Sequence, residues 1–284
     1  MRIGSRDFDV RNQTYVMGIL NVTPDSFSDG GKWNSMDRAL KHVEEMLAEG
    51  MDILDIGGES TRPGSDYSMP EQEEMERVLP CIEAVKARFD VPISLDTYKS
   101  RVAEAGIAVG VDLINDIWGL KWDPDMGRVI AEHGVACCLM HNRRAVVREG
   151  DGENAENRFG YQNFLEDVKA DLAESAELAR QAGISREQII LDPGVGFAKS
   201  YEQNLAILGR LDSLQSLGYP ILLGTSRKSV VGLTLNLPVT ERLEGTLATT
   251  VLGVLKGCAF VRVHDVKENV RAIRMTRAIL GAEC

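Results

Sequence analysis

Eight short apolar runs, separated by longer amphipathic ones, predict an α/β protein built as one (β/α)8 TIM barrel. The runs lie at 15–20, 52–56, 92–95, 111–114, 135–140, 188–191, 220–224 and 258–263. Several are apolar almost throughout, as parallel strands covered on both faces must be. Eight such units in 284 residues favour a closed barrel, with an open doubly wound sheet as the alternative. No linker or low-complexity segment interrupts the alternation, so 1–284 reads as a single domain.

Between the runs, apolar residues recur at helical spacing. Met36, Ala39, Leu40, Val43, Met46 and Leu47 share one face, as do Met75, Val78, Leu79, Ile82, Val85 and Phe89. Leu165, Val168, Leu172, Ala176 and Ala179 form a third stripe, and Leu243, Leu247, Val251 and Leu255 a fourth. Val266, Val270, Ile273 and Leu280 form the last. Each stripe is expected to face the sheet. The connections at 21–34 and 57–70 are long and rich in Gly and Pro, and 142–160 is polar and charged, so these segments read as mobile loops.

Composition narrows the function. The chain is 44% apolar and 26% charged, ordinary for a globular protein, but carries a net charge of -11. That acidity argues against nucleic acid as a partner. Five cysteines occur without a Cys-x-x-Cys pair, and Cys137 and Cys138 are adjacent in a strand, where they would face opposite ways. They read as buried thiols. The N-terminus lacks a signal-peptide core, and no apolar run approaches the length of about 18 residues that a membrane span needs. A soluble cytoplasmic protein is expected.

The informative pattern is the polar residue that ends each run. Asn21, Asp55, Asp96, Asn115-Asp116, His141, Asp192 and Ser226-Arg-Lys-Ser229 follow successive runs, and Arg262 and His264 flank the end of the last. In a barrel these positions converge at the C-terminal mouth, where such folds place their sites. Asp192 precedes Pro193-Gly194 and could open a turn; as a site residue, its carboxylate would accept two N–H bonds from a planar heterocycle. Asn115 offers a donor and an acceptor to the same edge. Asp96 is a candidate of the same kind, whereas Asp55, Asp116 and Arg227 read as structural. Lys228 stands at a helix start, where anions are already favoured. Arg262 lies within an apolar strand with no local partner, so an anionic ligand is the economical explanation. His264 is open to a structural or an anion-binding role. The other histidines are not spaced as a zinc site, and no P-loop is present. Any metal should be a hard ion such as Mg²⁺, bridging ligand phosphates and keeping several waters, with Asn21 as its one protein ligand.

Seven segments, in order, resemble the dihydropteroate synthase family of pterin-binding barrels. They are Met17-Gly-Ile-Leu-Asn-Val-Thr-Pro-Asp-Ser-Phe-Ser-Asp-Gly-Gly31, Asp55-Ile-Gly-Gly-Glu-Ser-Thr-Arg-Pro-Gly64, Ile93-Ser-Leu-Asp-Thr97, Ile114-Asn-Asp-Ile117, Leu191-Asp-Pro-Gly-Val-Gly-Phe197, Ser226-Arg-Lys-Ser229 and Arg262-Val-His-Asp-Val266. The resemblance implies a TIM barrel, usually a homodimer. It also implies transfer of a dihydropterin from its diphosphate to 4-aminobenzoate in folate biosynthesis, with sulfonamides competing for the aminobenzoate site. Position by position, it assigns Asp96, Asn115, Asp192 and Lys228 to the pterin pocket. Asn21, Arg262 and His264 fall to diphosphate and Mg²⁺. Phe27, Thr61, Arg62, Pro63, Phe197, Lys228 and Ser229 fall to aminobenzoate. Asp96, Asp192, Lys228, Arg262 and His264 are the expected catalytic set. After His141 the chain departs from the family pattern, with Asn142-Arg-Arg-Ala in place of a Met and a Gly-x-Pro turn. The alternative is a methyltetrahydrofolate:corrinoid methyltransferase-like barrel, which would share the Asp/Asn/Asp pocket but has no use for a diphosphate site.

Overall fold

A computed structural model of the chain describes residues 1–22, 31–59, 69–143 and 159–282, with the backbone alone over 31–35. A small antiparallel hairpin, β1 (Arg2–Ile3) and β2 (Arg6–Asp7), precedes eight parallel strands. These are β3 (Tyr15–Asn21), β4 (Ile53–Gly57), β5 (Ile93–Asp96), β6 (Leu113–Asp116), β7 (Ala136–Met140), β8 (Ile189–Asp192), β9 (Leu222–Leu223) and β10 (Phe260–Val263). Each predicted run overlaps one of them, in several cases ending a residue or two early. The sheet order runs β8-β7-β6-β5-β4-β3-β10-β9. A parallel bridge between Leu191 and Ile221, with the Leu191 N–H bonded to the Pro220 carbonyl at 3.0 Å, joins β8 to the approach of β9 and closes the barrel.

The crossovers carry α1 (Gly31–Glu49), α2 (Glu71–Lys86), α3 (Ser100–Ala108), α4 (Met126–His133), α5 (Phe164–Gln181) and α6 (Tyr201–Gly209). The last crossover holds two helices, α7 (Ser229–Leu235) and α8 (Leu243–Leu255), and α9 (Val266–Leu280) follows β10. Helix α1 begins at Gly31, inside the stretch read as loop.

Strand alternation separates two cores. Val16, Leu54, Ile56, Ile93, Leu95, Ile114, Leu139, Leu191, Val261 and Val263 face outward and pack in one cluster with the helices. Met17, Ile53, Leu113, Cys138, Ile190, Leu222 and Phe260 face inward, and Ile3 and Phe8 of the hairpin region close this inner cluster from the N-terminal end. Cys137 and Cys138 fall on opposite sides, as their adjacency requires. One step further along each inward column the chemistry changes. Ile53 is followed by Asp55, Leu113 by Asn115, Ile190 by Asp192, and Phe260 by Arg262. The barrel interior is therefore apolar at the hairpin end and polar at the other.

Two helical stripes face differently from expectation. On α8 the buried face is Thr246, Thr250, Gly253 and Val254, while Leu255 is 55% exposed and Leu243, Leu247 and Val251 are half-buried. The buried threonines satisfy their hydroxyls locally, Thr246 on the Arg242 carbonyl and Thr250 on Asn269 of α9, each bond at 2.7–2.8 Å. Small side chains let α8 and α9 approach; the leucines are turned outward. At the end of α9, Leu280 is also exposed, and Thr276 takes the inward position.

Phe260 is fully buried, with its ring centroid 5.8 Å from Phe8 and 5.9 Å from Tyr15. Phe260→Ala should lower unfolding stability by about 3–5 kcal/mol through lost burial and a cavity. Urea denaturation checks this, and a loss under about 1 kcal/mol would show that the inner cluster collapses to fill the gap.

Candidate active site

At the C-terminal end of the barrel, Arg262 lies between two carboxylates from strands β4 and β5. Its Nε donates to Asp55 Oδ2 at 2.6 Å and its Nη2 to Asp96 Oδ2 at 2.7 Å. Asp55 is fully buried and also accepts the Ser94 hydroxyl at 2.5 Å. The partners are 207 and 166 residues from Arg262 in sequence, so no local residue pairs it, but distant strands do, and an anionic ligand is not needed to balance its charge. Barrel closure brings β10, β3, β4 and β5 side by side, and inward parity aims the three side chains at one another. The two carboxylates hold the Arg262 charge firmly, against the opposing effect of burial. Its Nη1 makes no hydrogen bond among the described residues.

Asp96 is the strained member electrostatically. Burial pushes its carboxyl up to about 7, against the pull of Arg262, and the nearby acids Asp55 and Glu74 push the same way. Its Oδ1 is buried without a hydrogen-bond partner among the described residues. A buried orphan acceptor is costly and suits a ligand donor. Asn115, next in register to Asp96 on β6, is likewise buried, and its side-chain amide bonds to no described residue. Opposite them, Asp192 ends β8. Its Oδ1 accepts the Gly194 N–H at 2.7 Å, and burial raises its carboxyl while Lys228 and that N–H hold it down.

Lys228 approaches from the start of α7. Its Nζ donates to the Val195 carbonyl at 2.6 Å and sits 4.9 Å from the Phe197 ring centroid. Burial lowers the ammonium to about 8, against the attraction of Asp192. The convergence is measured at Gly224, where a Cβ would lie 3.7 Å from Asp192 Oδ2 and Lys228 Nζ and 3.9 Å from Arg262 Cβ. Glycine there leaves open the space these side chains surround. Beside it, Tyr98, Ile117, Trp118, Met140 and Phe197 form a separate apolar cluster, a surface suited to the face of a flat ring.

His264 continues the inward column of β10. The Ser226 hydroxyl accepts its backbone N–H at 3.1 Å and lies 3.0 Å from Nδ1. With the hydroxyl proton directed to Nδ1, the ring proton belongs on Nε2. Asn21 is exposed at the end of β3, paired in register with Gly57. Ser229 is exposed in the first turn of α7. Phe27, Thr61, Arg62 and Pro63 lie outside the described residues.

Parity sorts the remaining strand-end residues. Asp116 faces away from the interior and accepts the N–H groups of Trp118 and Leu120 at 2.8 and 2.7 Å, a turn role; burial raises it to about 6. Arg227 pairs with Asp265 through two nitrogens. Two buried clusters are centred on lysines that had no sequence signal, although His141 of the second follows a predicted run. Lys99 bonds Glu59, Glu74 and the Met69 carbonyl at 2.6–2.8 Å, and Lys199 bonds His141 and two turn carbonyls. A lysine after a turn or before a helix looks the same in sequence whether solvated or buried. Among the described residues, no group of three or more His, Cys, Asp or Glu is arranged to hold a metal ion, and no helix is long and apolar enough to cross a membrane.

A closed barrel with an inward, partly unsatisfied polar layer at the C-terminal ends of its strands defines an enzyme-type small-molecule site. The chain belongs to the family of pterin binding enzymes, whose pattern matches residues 17–264. It is 57% identical over 281 residues to the dihydropteroate synthase of Clostridium beijerinckii, covering 99% of both chains. Among solved structures, it is similar to a Clostridium difficile dihydropteroate synthase determined in the presence of pteroic acid. That likeness has a TM-score of 0.87 and 50% identity, over 96% of this chain and 99% of the other. The Yersinia pestis dihydropteroate synthase in a sulfonamide drug complex matches with a TM-score of 0.87 and 41% identity over 99% of each chain.

Arg262→Ala would leave Asp55 and Asp96 buried without their cation. It should cost about 3–5 kcal/mol of stability, and adding Asp55→Asn should return part of that loss. Denaturant unfolding of the single and double variants reads both effects. Wild-type stability in the single variant would refute the ion-paired interior.

Proposed function

We propose that the chain is a dihydropteroate synthase, a transferase of folate biosynthesis. It joins 6-hydroxymethyl-7,8-dihydropterin diphosphate to 4-aminobenzoate, giving 7,8-dihydropteroate and pyrophosphate. One observation carries the reading. The unsatisfied Asp96 Oδ1, the Asn115 amide and the Asp192 carboxylate line the same polar interior as Arg262 and Lys228, in a chain 57% identical to such a synthase. Those three groups match the donor and acceptor edge of a pterin, and the apolar cluster around Phe197 matches its ring or that of aminobenzoate. The corrinoid methyltransferase reading has no comparable support.

The chemistry follows from the groups present. The aryl amine is uncharged and nucleophilic at neutral pH, so no strong base is needed. It attacks the pterin methylene carbon, the C–O bond to diphosphate breaks, and the amine proton passes to solvent. Arg262 Nη1 would donate to the negative charge growing on the leaving diphosphate, with the His264 ring next along the same inward column. Asp192 stabilises positive charge developing on the pterin. Lys228 braces the Val195 carbonyl and the Phe197 ring, with Ser229 beside it on the aminobenzoate side. Phe27, Thr61, Arg62 and Pro63 would complete that side.

Mg²⁺ is part of the proposal. The fit rests on Asn21, a neutral oxygen donor, exposed at the end of the strand that pairs with β10. One amide oxygen suits an ion that keeps its waters and takes its other ligands from diphosphate. When bound, the ion would neutralise diphosphate charge. A cytoplasmic setting agrees with the four buried free thiols at Cys81, Cys137, Cys138 and Cys258.

Pyrophosphate release measured with both substrates tests the activity. Release should require both, rise with Mg²⁺, and be inhibited competitively with aminobenzoate by a sulfonamide. Release that ignores aminobenzoate would overturn the assignment.

A homodimer is proposed from the outward face of adjoining helices. Leu233 and Leu235 of α7, Leu255 of α8, and Met275, Ile279 and Leu280 of α9 are exposed at 45–65%. Apolar exposure on helices that pack in series, α7 on α8 and α8 on α9, suits an interaction surface. Sedimentation equilibrium should give a dimer, and Leu255→Glu combined with Met275→Glu should give a folded monomer. A wild-type monomer would exclude this surface as a dimer contact.

A further inference from the structure

Lys199 is outside the pocket, yet two of its three bonds tie it to the turn that forms one side. Its Nζ lies 2.8 Å from His141 Nδ1, 3.0 Å from the Gly194 carbonyl and 3.1 Å from the Phe197 carbonyl. His141 is buried, and its Nε2 lies 2.9 Å from Asp171 Oδ2, which is also gripped by Arg143. The carboxylate takes the ring proton on Nε2, so Nδ1 accepts from Lys199. All three ammonium hydrogens are then used. Burial, with help from the Lys199 charge, lowers His141 to about 3, which keeps the ring neutral.

The turn has little freedom except through this contact. Gly194 has φ +66°, and a Cβ there would lie 2.0 Å from the His141 carbonyl oxygen, so the two segments are pressed together at a glycine. The same turn supplies the N–H that Asp192 accepts, the Val195 carbonyl that anchors Lys228, and the Phe197 ring. Asp192 itself is fixed in the ladder of β8 against β7, whereas Val195 and Phe197 lie beyond that ladder, in a turn that Asn204 also holds through the Gly196 N–H at 2.6 Å.

We propose that Lys199 is a positioning residue, aimed by His141 and Asp171, that holds the Gly194–Phe197 turn in place and thereby sets affinity for the aminobenzoate substrate. The proposal rests on the synthase reading above. Charged and titratable groups facing Lys199 are Asp192, Lys228, His141, Asp171 and Arg143. Burial lowers its ammonium to about 7, with Lys228 and Arg143 acting the same way and Asp192 and Asp171 opposing. Below that pH three donors are present; above it a neutral amine has two, and the turn loses one bond. Aminobenzoate KM should therefore rise as pH climbs through about 7. A separate change near 8 belongs to Lys228.

Lys199→Met should raise aminobenzoate KM about tenfold, with kcat and the pterin-diphosphate Kd by calorimetry within about twofold of wild type. Its KM should lose the pH step near 7 that the wild type shows. Asp171→Asn, which disturbs the cluster from its more accessible end, should shift KM the same way by about threefold. Wild-type KM and pH dependence in both variants would overturn the proposal. So would a loss of the folded state in both by thermal melting, which would make the cluster a fold element. A wild type that forms no dihydropteroate would instead overturn the synthase reading, so the two failures are distinguishable.

Discussion

The interior of this barrel is organised around one guanidinium held by two carboxylates. Arg262 cannot be left alone inside a barrel, because an unpaired buried charge costs far more than one interaction returns. Asp55 and Asp96 satisfy it, and Ser94 satisfies Asp55 in turn. The group does more than neutralise itself. Among the described residues, Asp96 spends one oxygen on Arg262 and keeps the other without a hydrogen-bond partner, while Arg262 keeps Nη1. An ion group complete enough to fold and incomplete enough to bind is the condition for the rest of the site.

That condition explains how the barrel divides along its axis. The lower interior is apolar and closed by Ile3 and Phe8, so it contributes stability without hydrogen-bond obligations. The upper interior carries the polar set, with Gly224 keeping space between Asp192, Lys228 and Arg262. Burial raises Asp96 and Asp192 and lowers Lys228, so these groups sit closer to neutrality than they would in water. A ligand that supplies donors and charge recovers solvation that folding removed.

How much of this was legible varied with the kind of signal. Every barrel strand was visible, because strands buried on both faces must be apolar along their length, whereas the short strands β1 and β2 left no such signal. The stripe on α8 misled, since leucine was weighed as core and threonine as surface; close helix packing and local hydroxyl bonds reversed that order. Asn115 and Asp116 are neighbours in sequence, yet one faces the pocket and the other a turn, because side chains alternate across a strand. Lys199 was silent, since no local pattern predicts that its ammonium bonds two carbonyls of the preceding turn and His141, 58 residues away.

By itself, the sequence determined the alternation of strands and helices, the polar residues at the strand ends, and the family to which their order belongs. These are local properties: periodicity, composition and motif order survive without a fold. Only the tertiary structure decided which of those residues meet. Arg262 finds Asp55 and Asp96 across 207 and 166 residues of chain because barrel closure and register bring β10 near β4 and β5. Pairing of that kind depends on geometry summed around the whole barrel, and no window of sequence contains it.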